Sequence, residues 1–168
     1  MTIISSGPRR RGQTYDNRRR PVLGGLPSAG NRQGYGHTRG GGVVRIEAGE
    51  LCLNGGTLRA DGGKGQIFRT GSSGGSVYVR AQKLRARGAT VSARGGDGSI
   101  FSATTYDQWA SQSGGGGRIA IWSGTPWNEI DISTHVETGW VDEHCPERAG
   151  EEGTVYWGRL GGLMLLLR

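Results

Sequence analysis

From Gly41 onward, apolar and polar residues alternate with a period of two. In VVRIEA, Val44, Ile46 and Ala48 share one face, while Arg45 and Glu47 point away from it. Leu51 and Leu53 then alternate with Glu50, Cys52 and Asn54, and Leu58 and Ala60 with Thr57, Arg59 and Asp61. The pattern predicts three short strands, separated by turns at Gly49 and at Gly55-Gly56.

The same text returns thirty-three residues later. Gly41–Gly65 and Gly74–Gly98, aligned without a gap, agree at eleven of twenty-five positions, among them Val44/Val77, Ala48/Ala81, Leu51/Leu84, Thr57/Thr90 and Ala60/Ala93. A third repeat begins in GGRIAIW (Ile119, Ile121) and ends in DISTHVETG (Ile132), and a fourth begins at GTVYW (Val155, Trp157). Self-similarity at such a period predicts a stack of like units, in which equivalent residues form ladders: Val44-Val77-Ile119-Val155 and Ile46-Val79-Ile121-Trp157.

The fold expected is all-β, a parallel β-helix (solenoid) of three to four coils, three strands to each coil. Val44, Ile46, Leu58, Val77, Val79, Val91, Ile119, Ile121 and Ile132 would be buried in one column, and glycine pairs would form corners through positive φ or close backbone approach. The stretches KGQIFRTGSS and SIFSATTYDQWASQSG would bulge as loops. An antiparallel β-sandwich also shows alternating strands with regular turns, but it needs no in-register copy. Residues 1–40 lack periodicity and read as a basic Gly/Arg-rich arm or loop, 41–160 as the repeats, and 161–168 as an apolar tail or cap.

Composition supports an ordered repeat. Glycine is 34 of 168 residues, about three times its usual share, without the Gly-X-Y period of collagen. The net charge of +7 is local: residues 1–40 hold eight Arg against Asp16, and residues 41–168 balance at 13 basic and 13 acidic groups. Glu129–Glu152 contains eight acidic residues against Arg148 alone, so the two ends of the array differ in sign. Cys52 and Cys145 match no zinc spacing and read as two separate thiols. No apolar run reaches the ~20 residues of a membrane span. MTIISSGPRRR places its basic residues after its apolar ones, the reverse of a secretory signal.

RGGGVVRIEAGELCLNGGTLRADGG, GGSVYVRAQKLRARGATVSARGGDG, SGGGGRIAIW and EEGTVYW, spanning roughly residues 39–158, resemble glycine-rich surface or secreted repeat proteins with a pectin-lyase-like right-handed β-helix. HVETGW departs from that pattern, standing where a glycine corner is expected. The resemblance implies handedness, an extracellular or cell-surface location, and a structural or adhesive role; without the export signal and long flanks usual in such proteins, the chain reads as a fragment or a decayed copy.

Chemistry is sparsely written. A pectate-lyase-like enzyme would need clustered carboxylates to hold Ca²⁺ or to act as acid and base. Asp61, Asp97, Asp107, Asp131, Asp142 and Glu143 are the candidates, and they read as solvated surface charge; Asp61 stands level with Arg94 in the next repeat. His37, His135 and His144 lack metal-ligand spacing. No catalytic, cofactor or metal residue is assigned. Arg39-Gly40-Gly41 and Arg94-Gly95-Gly96 abut strands, unlike the clustered RGG of RNA-binding segments, and Arg9–Arg11 and Arg18–Arg20 offer weak polyanion binding. Tyr78, Trp122, Tyr156 and Trp157 would form an exposed row, as packing residues or as a glycan platform. Glycans or other surface proteins are the expected partners, with self-association through the Trp157–Leu167 end.

Overall fold

The computed structural model describes residues 17–28, 38–66, 70–99, 111–143 and 145–161. Among these residues seven strands form: β1 (Val43–Asn54), β2 (Thr57–Arg59), β3 (Ser76–Arg87), β4 (Ala89–Ser92), β5 (Arg118–Ser123), β6 (Ile132–His135) and β7 (Thr154–Arg159). They assemble as one sheet in the order β1-β3-β5-β7 and a second in the order β2-β4-β6. Every pairing is parallel, which removes the antiparallel sandwich.

The register is that of the sequence repeat. Val44 lies beside Val77, Val77 beside Ile119, and Ile119 beside Val155; Ile46, Val79, Ile121 and Trp157 make the next ladder. Each connection within the larger sheet passes through the smaller one, which supplies the long crossover that parallel strands require.

The expected β-helix is corrected at this point. The strands make two parallel sheets, of four and three strands, without closing into a barrel or solenoid. This all-parallel order is the one shared by α/β-like folds, with no α-helix among the described residues. Gly49 is one physical reason. It has no positive φ, and β1 runs through it, pairing with β3 on both sides of the unpaired Gly49–Gln82 level. The inward set shifts there from Val44, Ile46 and Ala48 to Leu51 and Leu53, so the strand bends and continues. Two of the three expected strands are therefore one. In the third repeat, a 3-10 turn at Trp127–Glu129 stands where the middle strand was expected.

The remaining side of the stack is glycine backbone. Among the described glycines only Gly55 and Gly88 have positive φ, so corner geometry accounts for little of the glycine content. Close approach accounts for much more. A Cβ on Gly41, Gly62, Gly75, Gly96, Gly114, Gly117 or Gly139 would fall within 2.1 Å of a carbonyl oxygen of a neighbouring segment. These extended segments bond laterally in series: Gly139 donates to Gly114, Gly114 to Gly96, Gly96 to Ser72, Ser72 to Gly63 and Gly63 to Arg39, at 2.8–3.0 Å. They also bond along the repeat axis, as in Gly62 N–H to Arg94 O and Gly95 N–H to Glu137 O. At those seven positions only a residue without a side chain fits, for the reason that glycine lines the collagen axis. The ends of the expected loops, Gly71–Ser73 and Ser111–Gly114, belong to it.

The apolar core lies between the sheets. Val77, Val79, Leu84, Val91, Ile119 and Ile121 are fully buried, whereas Val44, Leu58 and Ile132 are half-buried against them, and Ile46 is half-buried as well. The expected column thus holds in the middle repeats and is corrected at its margins. The outer aromatic row is corrected too. Tyr78 is buried, with Arg45 over its ring, and only Trp157 of the four counts as exposed.

Asn17–Ser28 carries no strand or helix but is tied to the larger sheet. Trp122 Nε1 donates to the Arg19 carbonyl at 2.8 Å, the Arg19 guanidinium lies 5.5 Å above the Tyr156 ring, and Ser76 Oγ donates to the Leu23 carbonyl. Trp122 packs on Tyr156 at 5.2 Å between ring centroids and covers Gly158.

Candidate binding groove

The second half of β3 outlasts its partner. β5 pairs with Ser76–Ala81 and then stops, because the chain leaves the sheet at Gly124, whose N–H bonds to Ala81 O. Thr125 Oγ1 accepts from Leu84 N–H at 2.9 Å, and the Trp127–Glu129 turn then stands off the strand. The chain rejoins at Asp131, whose N–H reaches Ala86 O and whose carboxylate accepts from Gly88 N–H at 2.7 Å. The detour opens a cleft of about 690 Å³ over Gln82–Arg87, with Cys52 and Asn54 of β1 on one side and Thr125, Pro126 and Glu129 on the other.

Alternation on β3 points Leu84 and Ala86 into the core and Lys83, Arg85 and Arg87 outward. At two-residue spacing in a strand these cations stand roughly 6.6 Å apart, a straight row about 13 Å long. Glu50 engages two of them, Arg85 Nε at 2.9 Å and Lys83 Nζ at 3.8 Å. Arg87 has no ion pair among the described residues. Guanidinium groups grip carboxylate or sulfate in a bidentate fashion, so the row suits a linear anionic chain, with Asn54, Gln82 and Thr125 available to neutral hydroxyls. The chain's text KLRAR held the signal for this row; the gap beside it depends on GTPWNEI displacing a strand.

The carboxylates singled out in the sequence lie apart from the cleft or act as fasteners. Asp61 accepts from Ser92 Oγ and from Arg94 N–H on one oxygen and from Arg59 Nε on the other. Partial burial pushes its pKa up, but the Ser92, Arg94 and Arg59 donors outweigh this and hold it below the usual carboxylate value. Asp97 accepts from Trp140 N–H at 2.8 Å and lies 3.7 Å from Lys64 Nζ. Asp131 closes the Gly88 corner, and Asp142 and Glu143 lie beside the 3-10 turn Pro146–Arg148. His135 Nδ1 is 3.1 Å from Glu137, whose other oxygen is 3.5 Å from Arg94.

Among the described residues no three His, Cys, Asp or Glu side chains gather as metal ligands. Cys52 is exposed and Cys145 buried. The Arg39-Gly40-Gly41 and Arg94-Gly95-Gly96 triplets belong to the glycine bundle, and Arg18–Arg20 are exposed. Arg9–Arg11, His37, Asp107, His144 and Leu167 lie outside the described residues. No helix among those described is long and apolar enough to cross a membrane. No family model, curated protein or solved structure matches this chain.

Proposed function

We propose that this chain is a non-enzymatic structural or adhesive segment of an extracellular or cell-surface repeat protein, and that it holds an acidic glycan in the β3 cleft. The supporting observation is the Lys83-Arg85-Arg87 row facing an open groove that also carries the Asn54 and Gln82 amides, the Thr125 hydroxyl and, on its far side, the Glu129 carboxylate. The non-enzymatic reading draws on the fastening roles of Asp61, Asp97 and Asp131. The surface location draws on the glycine-rich repeat resemblance.

Titration calorimetry with oligogalacturonate and alginate oligomers, with and without Ca²⁺, tests this. The expected result is salt-sensitive binding that weakens about tenfold or more in Arg85→Ala and Arg87→Ala, with the glycan recovered intact. Absence of binding, or shortening of the glycan during incubation, would overturn the reading.

A further inference from the structure

The two edges of the larger sheet carry different exposed apolar groups. At the β1 edge Val43 is 45 % exposed, with Leu23 and Leu26 exposed in the segment packed beside it. In the last two repeats the exposed set is Trp127, Trp140 and Trp157, and Trp127 meets Trp157 edge-on at 5.0 Å.

Among the described residues β1 is a twelve-residue edge strand with a strand neighbour on one side only. Its inward residues Val44 and Ile46 are half-exposed, whereas their equivalents Val77 and Val79, flanked by strands on both sides, are at most 1 % exposed. What covers this kind of strand is visible in the molecule itself: a parallel strand of the neighbouring repeat in the same register. β7 presents the complementary edge, since Val43, Ser76, Arg118 and Thr154 occupy equivalent levels.

Charge agrees with that match. Glu151 carries the carbonyl that Gly116 bonds, as Gly115 does for Gly74 and Ser73 for Gly41, so Glu151 stands level with Gly40. Stacking β7 of one molecule against β1 of another would set the exposed Arg39 beside Glu151 and Glu152, in a C-terminal region that is strongly acidic. A two-fold pairing of β1 with β1 would be antiparallel and would not reproduce the parallel register of the repeats.

We propose that a second copy of this chain covers the β1 edge, seating its β7 edge there in parallel register, with Val155 beside Val44 and Trp157 beside Ile46. Such a contact is heterologous and does not close, so assembly continues head to tail. It is independent of the glycan reading, whose cleft lies over β3.

Sedimentation velocity of the full chain tests this. The wild type should show a sedimentation coefficient that rises with concentration without a plateau at the dimer. Val43→Lys, which blocks one end, and Trp157→Lys, which blocks the other, should each be monomeric alone, and an equimolar mixture should form dimers and nothing larger. Leu26→Lys and Trp127→Lys replace either variant that loses its β-type circular dichroism. A wild type that stays monomeric at every concentration overturns the proposal. So does either blocked variant dimerising by itself, because that would mean like ends pair with like.

Discussion

Replacing Gly96 by alanine probes the glycine bundle more directly than any core substitution. A Cβ on Gly96 would sit 1.9 Å from the Gly63 carbonyl oxygen and 2.6 Å from its carbon, where real contacts need at least 3.0 Å. The Gly96 segment must therefore part from the Gly63 segment by more than an ångström. It is bonded on both sides, Gly96 N–H to Ser72 O and Gly114 N–H to Gly96 O, each at 2.8 Å. A shift of that size takes both beyond hydrogen-bonding distance, and losing two buried backbone bonds costs ~2–6 kcal/mol. A domain with ~5–15 kcal/mol in hand would lose a large part of its stability. Two other glycines calibrate the result. Gly49 has open space around its would-be Cβ and no positive φ, so Gly49→Ala should be neutral or stabilising by up to ~1 kcal/mol. Gly88 also has open space but φ +60°, so Gly88→Ala should cost ~1–2 kcal/mol. Urea unfolding followed by far-ultraviolet circular dichroism should rank the midpoints Gly49→Ala, Gly88→Ala, Gly96→Ala, from highest to lowest. A Gly96→Ala midpoint equal to that of Gly49→Ala would refute the close packing of these backbones.

Three further perturbations reach other parts of the molecule. Val79→Asp puts a carboxylate where exposure is 1 %, costing several kcal/mol; loss of the cooperative thermal transition is expected, and an unchanged melting temperature would contradict the core described above. The Asp61 carboxyl is held below its unfolded pKa, so its contribution is present above about pH 4 and is lost as pH falls through the folded value. The melting-temperature gap between wild type and Asp61→Asn should accordingly be largest near neutrality and close in acid, and a gap that widens in acid would reverse the assignment. Gly158→Ala places a Cβ 2.3 Å from Trp122 Cε3, which should displace the indole from the Arg19 carbonyl and speed tryptic cleavage at Arg18–Arg20; an unchanged cleavage rate would show that the indole does not hold that segment.

The ladder register was legible because Val44, Val77, Ile119 and Val155 carry the same chemistry at a fixed offset, and side-chain identity is what sequence records. In the sequence Gly49 marks a turn, because glycine permits a turn and a bend alike, and only neighbouring backbone decides between them. The bundle was illegible for a related reason: Gly96 needs its hydrogen side chain because of Gly63, Ser72 and Gly114, segments brought together only by folding. The outward set of Lys83, Arg85 and Arg87 was written in the alternation, but the cleft beside it arises where β5 ends early, and the sequence gives a missing strand no pattern of its own. Tyr78 belongs to the outward set of the alternation, yet it is buried because Arg45 from the adjacent strand covers that face of β3.

Much of this protein's cohesion runs through amide-to-carbonyl contacts between glycine segments, and only 33 % of its residues are hydrophobic. Unfolding therefore exposes an unusual proportion of peptide surface, whose hydration lowers the heat capacity while apolar hydration raises it. The heat-capacity increment should fall below the ~12–15 cal/mol/K per residue of ordinary domains, giving a broad, shallow stability curve. Warming would weaken such a molecule gradually, and cooling would cost it little, since it depends less on the apolar driving force that fades in the cold.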